Sequence, residues 1–427
     1  MKNPFIKNIL SREIVRNSSV LLSGNFLGQA IAFAVYPLLT RMYSESDFGI
    51  FATYASFYTL LATIGTLRYE ESLVIAKDEQ ETRRLFSFSF GFLICFSLLL
   101  LVVFWCFGRS FFAFFRLDDI ADFRYYIPVS VIFTGSIFLL TNLAIRRKQY
   151  KTIASAGLLQ NTVNAGSRVT FGNLALTQIG LIVSNVLSLV AATTLLFPIR
   201  KRLFWKDKCI DNLNTALKYK DFPMYNCVRS VINQVSMNLP FLYLIGFFDT
   251  DRIGLFSLAF IVLTTPINLV VNSLYSVFFE RFSASQKQGV SAMPLVKKYW
   301  KAMVIYVLPL FILAFFIARP LFPIVFGSQW LTAGSYFTSM LPWGFLMLFI
   351  CPFYSAFIVF RKQNIFLVIE ILYLLVRFIA LFVGVKYGDF RLCVLLFTLA
   401  GIIFSCLYIT VIGIILRNEI NKSRADE

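Results

Sequence analysis

Residues 66–80 read TLRYEESLVIAKDEQ. An apolar run that starts at Phe48 reaches Leu67, meets Arg68, Glu70 and Glu71, resumes as SLVIA, and then turns openly polar at Lys77. Those charges are either the end of a buried helix or groups held inside it. The rest of the chain decides. Of 427 residues, 58% are hydrophobic, 15% are charged and 49 are Phe, whereas a soluble chain carries about 25% charged residues. So little polar surface points to a multi-span membrane protein. In that setting the resumption as SLVIA places the charges within the inner third of a span.

The opening MKNPFIKNILSREIVRN is basic and polar, with no short apolar core ahead of a small-residue cleavage site, so no removable signal peptide is expected. Seven Cys stand singly without a CxxC pair, which argues against a disulfide framework or a thiolate metal site. The chain has no His. That removes the commonest general base and metal ligand, and histidine-dependent catalysis with it. No cofactor or metal is expected, and the chain reads as a non-enzyme.

Twelve apolar segments lie at about 18–40, 48–76, 85–107, 125–145, 152–171, 174–199, 223–247, 253–279, 302–318, 333–360, 364–385 and 391–416, judged against the roughly 20 residues that cross a bilayer core. Only Gly172 and Asn173 separate the fifth from the sixth. With the N-terminus in the cytoplasm, 29 of the 40 Lys and Arg fall on the inner side and nine on the outer, with Arg229 and Arg377 inside spans. The positive-inside rule then puts both termini in the cytoplasm. The net charge of +18 reads as topology, and no nucleic-acid partner is expected. The longest inner stretch, RKRLFWKDKCIDNLNTALKYKDF, reads as a basic interfacial helix with Leu203, Phe204, Trp205, Ile210, Leu213 and Leu217 toward membrane lipids.

That stretch sits midway and suggests a joint. The expected organisation is an N-terminal lobe over 1–205 with spans 1–6, a linker helix over 206–222, and a C-terminal lobe over 223–427 with spans 7–12. YPLLTRMYSESDFGIFATYASFYTLL (36–61) parallels LPFLYLIGFFDTDRIGLFSLAFIVLTTP (239–266): at an offset of 205, Gln29 aligns with Gln234, Gly49 with Gly254, Phe51 with Phe256 and Thr59 with Thr264. Six spans per half gives a parallel repeat about an axis along the membrane normal. The fold class expected is an all-α integral membrane protein of about 12 helices in two six-helix lobes related by a parallel pseudo-two-fold, with substrate between them.

Ionisable groups inside spans are costly and mark pathways by default. Arg68 and Glu71, three apart, can neutralise each other on a helix. Glu70 is turned about 200° from Arg68 on that helix and needs another partner; snorkelling at a helix end is the plainer reading. Arg229 shares a stripe with Asn226 and Asn233 along an otherwise apolar span. Glu370 and Arg377 lie seven apart on one face, where a structural pair with neighbouring helices competes with a functional role. Span 5 places Asn161, Asn164 and Arg168 on one stripe; span 1 offers Asn25 and Gln29, and span 8 Asn268 and Asn272, with helix–helix glue as the alternative for each amide. At about 1.5 Å rise per residue, Arg68 and Arg229 lie at a similar lower level and Arg168 and Arg377 at an upper one. Guanidinium forks suit phosphate oxygens. The candidate cavity residues are therefore Arg229, Arg68, Arg377, Arg168, Asn25, Gln29, Asn226, Asn233 and Asn164, and the candidate ion-coupling residues Glu70 and Glu370.

LRYEESLVIA, the opening LLSGNFLGQ with YPLLTRMYSESDFGIF, and PIVFGSQWLTAG between spans 9 and 10 resemble bacterial oligosaccharide-lipid (Wzx-type, O-antigen) flippases. Those proteins belong to the multidrug/oligosaccharidyl-lipid/polysaccharide exporter superfamily. The resemblance covers most of the chain. It implies a MATE-like fold and a reaction without covalent intermediates. By that likeness the cargo is an undecaprenyl-diphosphate-linked oligosaccharide repeat unit, moved across the bacterial inner membrane by alternating access. It further implies H⁺ or Na⁺ coupling, and polymerase and chain-length regulator proteins as candidate partners. A multidrug cation antiporter of the same fold is the alternative, disfavoured because intramembrane Arg outweighs unpaired carboxylates.

Overall fold

The computed structural model describes residues 12–200, 209–288, 292–350, 353–360 and 362–425. Every regular element among them is helical. The first unit begins with α1 (Arg12–Met42), α2 (Glu45–Thr66), α3 (Tyr69–Ile75), α4 (Glu79–Phe114), α5 (Tyr126–Arg146), α6 (Tyr150–Asn173) and α7 (Gln178–Leu196). Then come α8 (Cys209–Lys218) and a π-helical turn, Phe222–Cys227, that runs into α9 (Val228–Leu244). The chain continues as α10 (Thr250–Gln288), α11 (Met293–Ala302), α12 (Leu308–Phe326), α13 (Leu331–Ile350), α14 (Tyr354–Val359), α15 (Gln363–Lys386) and α16 (Phe390–Ala425).

The hydrophobic pattern and the helices agree closely. Each of the twelve apolar segments falls on helix, and the break between the fifth and sixth lies at 174–177, just past Gly172 and Asn173. Nine helices among the described residues are long and apolar enough to cross a membrane. The remaining three expected spans fall on α1, α6 and α9. These hold Gln29, Asn161, Asn164, Arg168, Arg229 and Asn233; the apolar part of α1, Phe26–Met42, and α9, with 17 residues, are also short.

One expectation needs correction. The span expected to run unbroken over 48–76 is two helices. Leu67 (φ 50) and Arg68 (φ 58) both take the left-handed conformation and split α2 from α3. For residues with a Cβ this costs about 1–2 kcal/mol each, so surrounding contacts must hold it.

The chain divides into two compact units, Met1–Gln234 and Val235–Glu427. The two share four equivalent helix pairings. In the first, α2 packs on α5, α4 on α5, α5 on α7, and α6 on α7; in the second, α10 packs on α13, α12 on α13, α13 on α16, and α15 on α16. Equivalent helices even start in step: α2 at Glu45 and α10 at Thr250, α5 at Tyr126 and α13 at Leu331, the 205-residue offset of the sequence repeat. The first start is fixed by a capping box, in which the Ser44 hydroxyl accepts the Asp47 amide at 3.2 Å and Asp47 accepts the Ser44 amide at 2.9 Å.

Packing in the second unit is aromatic. Trp343 on α13 is buried between Phe260 of α10 and Phe397 of α16, with ring centroids 6.2 and 5.5 Å away. It reaches that depth because Gly401 leaves room: a Cβ there would lie 2.5 Å from the indole.

Candidate functional site

The first unit gathers its charged residues at the α2–α3 break. With Arg68 in the left-handed region, its guanidinium forks across the start of α3. Nη2 donates to Glu71 Oε1 at 2.6 Å and Nη1 to Glu70 Oε1 at 3.3 Å. The Arg68–Glu71 pair expected from spacing is present. The expectation that Glu70 lacks a local partner is not met, because the 200° rotation assumed a continuous helix and the helix is broken there. Glu70 is buried to 1% exposure, and its Oε2 has no hydrogen-bond partner among the described residues. Both carboxylates lie in the first turn of α3, where the helix dipole favours negative charge.

The second oxygen of Glu71 reaches further. Its Oε2 accepts from Asn226 Nδ2 at 2.7 Å. Asn226 lies in the π-helical turn before α9, and beside it Cys227 is buried against the Thr63 carbonyl at 3.9 Å. One extra residue in a helical turn re-aims side chains, and such turns are frequent at functional sites. Arg229 is half-buried one turn on. Arg68, Glu70, Glu71 and Asn226 thus form one network within the first unit, with Arg229 and Asn233 following along α9.

The break is clamped from below. Arg146, at the end of α5, donates from Nη1 to the carbonyls of Leu73, Val74 and Ala76 at 3.1, 3.2 and 2.8 Å, and from Nη2 to that of Asp78 at 3.3 Å. It satisfies the carbonyls that a helix end leaves unpaired. Tyr69 donates its hydroxyl to the Ala216 carbonyl of α8 at 3.1 Å. Glu81 of α4 accepts from Tyr219 at 2.9 Å and Lys218 at 3.4 Å, and Arg84 pairs with Asp211 at 3.7 Å. Burial, reinforced by the Glu81 contact, pushes the Tyr219 hydroxyl up from its ordinary pKa. The linker helix is therefore docked along one side. Its Ile210, Leu213 and Leu217 are exposed, whereas Leu203, Phe204 and Trp205 lie outside the described residues.

A second group in the first unit surrounds Arg168 on α6. Arg168 is buried, with its guanidinium carbon 4.5 Å from the Phe51 ring centroid and its backbone carbonyl accepting from the Tyr43 hydroxyl at 2.8 Å. Asn164, one turn earlier, donates to Ser188 Oγ at 3.3 Å. Nearby, Asn185 Nδ2 donates to the Tyr58 hydroxyl at 3.1 Å. Asn185, Ser188 and Tyr58 escaped the sequence reading because single polar residues in apolar spans are common. Gln29 on α1 is half-buried, and the side chain of Asn25 lies outside the described residues. The α1–α6 approach is close at Gly28, where a Cβ would lie 2.8 Å from Asn161 Nδ2.

In the second unit Arg377 of α15 is wholly enclosed. Nη1 donates to the Ser236 carbonyl at 3.0 Å and its hydroxyl at 3.2 Å, and Nη2 donates to the Tyr373 hydroxyl. Its charge faces the rings of Tyr373, Phe397 and Trp343, 3.9, 4.3 and 5.3 Å from their centroids. Glu370 is buried seven residues earlier and accepts from the Tyr408 hydroxyl of α16 at 2.8 Å. No carboxylate pairs directly with Arg377 among the described residues.

No cluster of potential metal ligands occurs among the described residues. The site's chemistry is that of buried charges and amides held on helices.

Comparison with known proteins places this architecture in a class. The family model described as polysaccharide biosynthesis protein matches residues 38–335, and the chain belongs to that family. The fold is similar to that of "Lipid II flippase MurJ, inward closed conformation", with TM-score 0.73 at 13% identity over 96% of this chain and 91% of that one. An inward-facing multidrug resistance MATE family transporter of the MOP superfamily superposes with TM-score 0.61 at 13% identity, covering 95% and 98% of the two chains. A Vibrio cholerae MATE transporter gives 0.62 at 11%, covering 95% and 97%. No curated protein sequence matches. The chain is a multi-pass membrane protein with a MurJ- and MATE-like all-helical fold.

Proposed function

We propose that the chain flips an undecaprenyl-diphosphate-linked oligosaccharide from the cytoplasmic to the periplasmic leaflet of a bacterial inner membrane, for O-antigen, capsule or exopolysaccharide assembly. The observation that carries this reading is the Arg68–Glu70–Glu71–Asn226 network at a strained helix break, inside the stretch matched by the polysaccharide biosynthesis family. Two short bonds hold Arg68 and Asn226 on Glu71, so an event that neutralises or displaces Glu71 frees a guanidinium and an amide together. Diphosphate oxygens are natural acceptors for both. Arg229, Gln29, Asn25, Asn233 and Asn164 add cationic and amide contacts on the same unit.

Arg168 serves as a second cationic group on the first unit, and Glu370 with Glu70 takes part in H⁺ or Na⁺ coupling between alternating conformations. The two compact units, Met1–Gln234 and Val235–Glu427, are the moving parts of this scheme. A cation antiporter would bring an unpaired carboxylate to its substrate; here Glu70 shares Arg68 with Glu71, which favours the anionic cargo. The test is Arg229→Ala. Surface polysaccharide should be lost while the protein still reaches the membrane in normal amount. Normal polymer quantity and length in that variant would contradict the assignment.

A further inference from the structure

Within the second unit, α12, α13 and α16 line two cavities that follow one another along these helices. The first is polar, about 210 Å³, and lined by Arg319, Ser335, Tyr336, Ser339, Arg391 and Leu395 among others. The second is about 460 Å³ and wholly apolar, with Phe311, Ile312, Phe315, Leu341, Phe345 and Ile402 in its wall. The same three helices line both. Along α12 the lining passes from Phe315 and Phe316 to Arg319; along α13 from Phe345 and Pro342 to Ser339 and Ser335; along α16 from Ile402 to Leu395 and Arg391. One groove therefore has a cationic, hydroxyl-bearing head and an apolar body.

The head sits where α12 ends at Phe326, α13 begins at Leu331 and α16 begins at Phe390, the end that the Lys and Arg distribution assigns to the outer leaflet. The two arginines form no ion pair with any carboxylate among the described residues. Asp389, the nearest acid in sequence, accepts the backbone amide of Arg391 at 2.8 Å. The groove is built by close helix contact: a Cβ on Gly334 would meet Phe322 at 3.0 Å and the Arg319 Cα at 3.3 Å. Its apolar flank stays open to the bilayer, with Phe316, Ile312 and Leu395 all exposed.

We propose that this groove binds an anionic glycerophospholipid of the outer leaflet. The phosphate lies between Arg319 and Arg391, with Ser335 donating to it, and an acyl chain fills the apolar body. Two guanidinium groups lacking protein anions supply the charge complement, and fork-like donors fit phosphate oxygens. The polar head, about 210 Å³, matches a phosphodiester with part of its glycerol, and the exposed apolar flank gives onto the bilayer, where phospholipid is abundant. This favours a bilayer lipid over a sugar-bearing polyprenyl carrier as the occupant. The site is separate from the network at the α2–α3 break and does not depend on the proposed cargo.

The test uses the full-length protein released into nanodiscs or neutral detergent, with retained lipid counted by native mass spectrometry. Phosphatidylglycerol should be retained tightly and phosphatidylcholine at least tenfold less. Arg319→Gln with Arg391→Gln should weaken phosphatidylglycerol retention tenfold or more, while Arg109→Gln, an exposed outer arginine on α4 of the first unit, leaves it unchanged. Equal retention of the two lipids by the unaltered protein overturns the proposal without recourse to any variant. So does undiminished retention in the double variant. Displacement of the phospholipid by millimolar inorganic phosphate would show a bare anion site, and preferential displacement by undecaprenyl phosphate would show a carrier-lipid site; either result also overturns it.

Discussion

At the scale of single residues, the decisive feature is that Arg68 is shared. It bonds Glu71 at 2.6 Å and Glu70 at 3.3 Å, and Glu71 is further engaged by Asn226. Glu70 is the weaker partner, buried with one oxygen unpaired. A buried carboxylate with an unmet oxygen is costly unless a cation or proton joins it in some state of the cycle. Glu70→Gln should therefore leave protein amount in the membrane unchanged and flatten the dependence of transport on the imposed ion gradient, measured in vesicles. Transport that tracks H⁺ and Na⁺ gradients as before would remove Glu70 from coupling. Charge and spacing revealed the Arg68–Glu71 pair in the sequence. The Arg68–Glu70 contact was hidden, because two residues with ordinary side chains, Leu67 and Arg68, adopt a conformation more typical of glycine.

At the scale of elements, α3 is a seven-residue helix held at its start by the adjoining Arg68 and at its end by the distant Arg146 of α5, which donates to four carbonyls. Arg146→Ala should lower the stability of the protein by about 1–3 kcal/mol, the scale of a charged hydrogen-bond donor lost to partly buried acceptors. Thermal unfolding in detergent measures this; an unchanged midpoint would show that α3 is held by packing alone. By sequence alone Arg146 is one of the inner-side cationic residues. The sequence holds no signal for the clamp, because partners about 70 residues away leave no local pattern. Helix starts were more legible. The S-x-x-D box at Ser44 and the acidic turn near Asp249 mark α2 and α10 205 residues apart, as the repeat in the apolar pattern predicts.

At the scale of the whole molecule, twelve hydrophobic segments and the 205-residue repeat were readable because both follow from burial and turn chemistry along the chain. Matching helix packing in the two units bears out what the weak alignment of Gly49 with Gly254 and Phe51 with Phe256 suggested. What the sequence concealed is enclosure. Arg377 was read as facing a cavity from its position in a span. The structure surrounds it with Ser236, Tyr373, Trp343 and Phe397, contacts that only three-dimensional packing creates. The central claim is tested most directly by depleting the protein in its native cell and following the complete lipid-linked repeat unit with a membrane-impermeant sugar-modifying reagent. The account predicts that the finished undecaprenyl-diphosphate oligosaccharide accumulates on the cytoplasmic leaflet, inaccessible from outside, while surface polysaccharide falls. Accumulation on the periplasmic leaflet, or no accumulation at all, would contradict it.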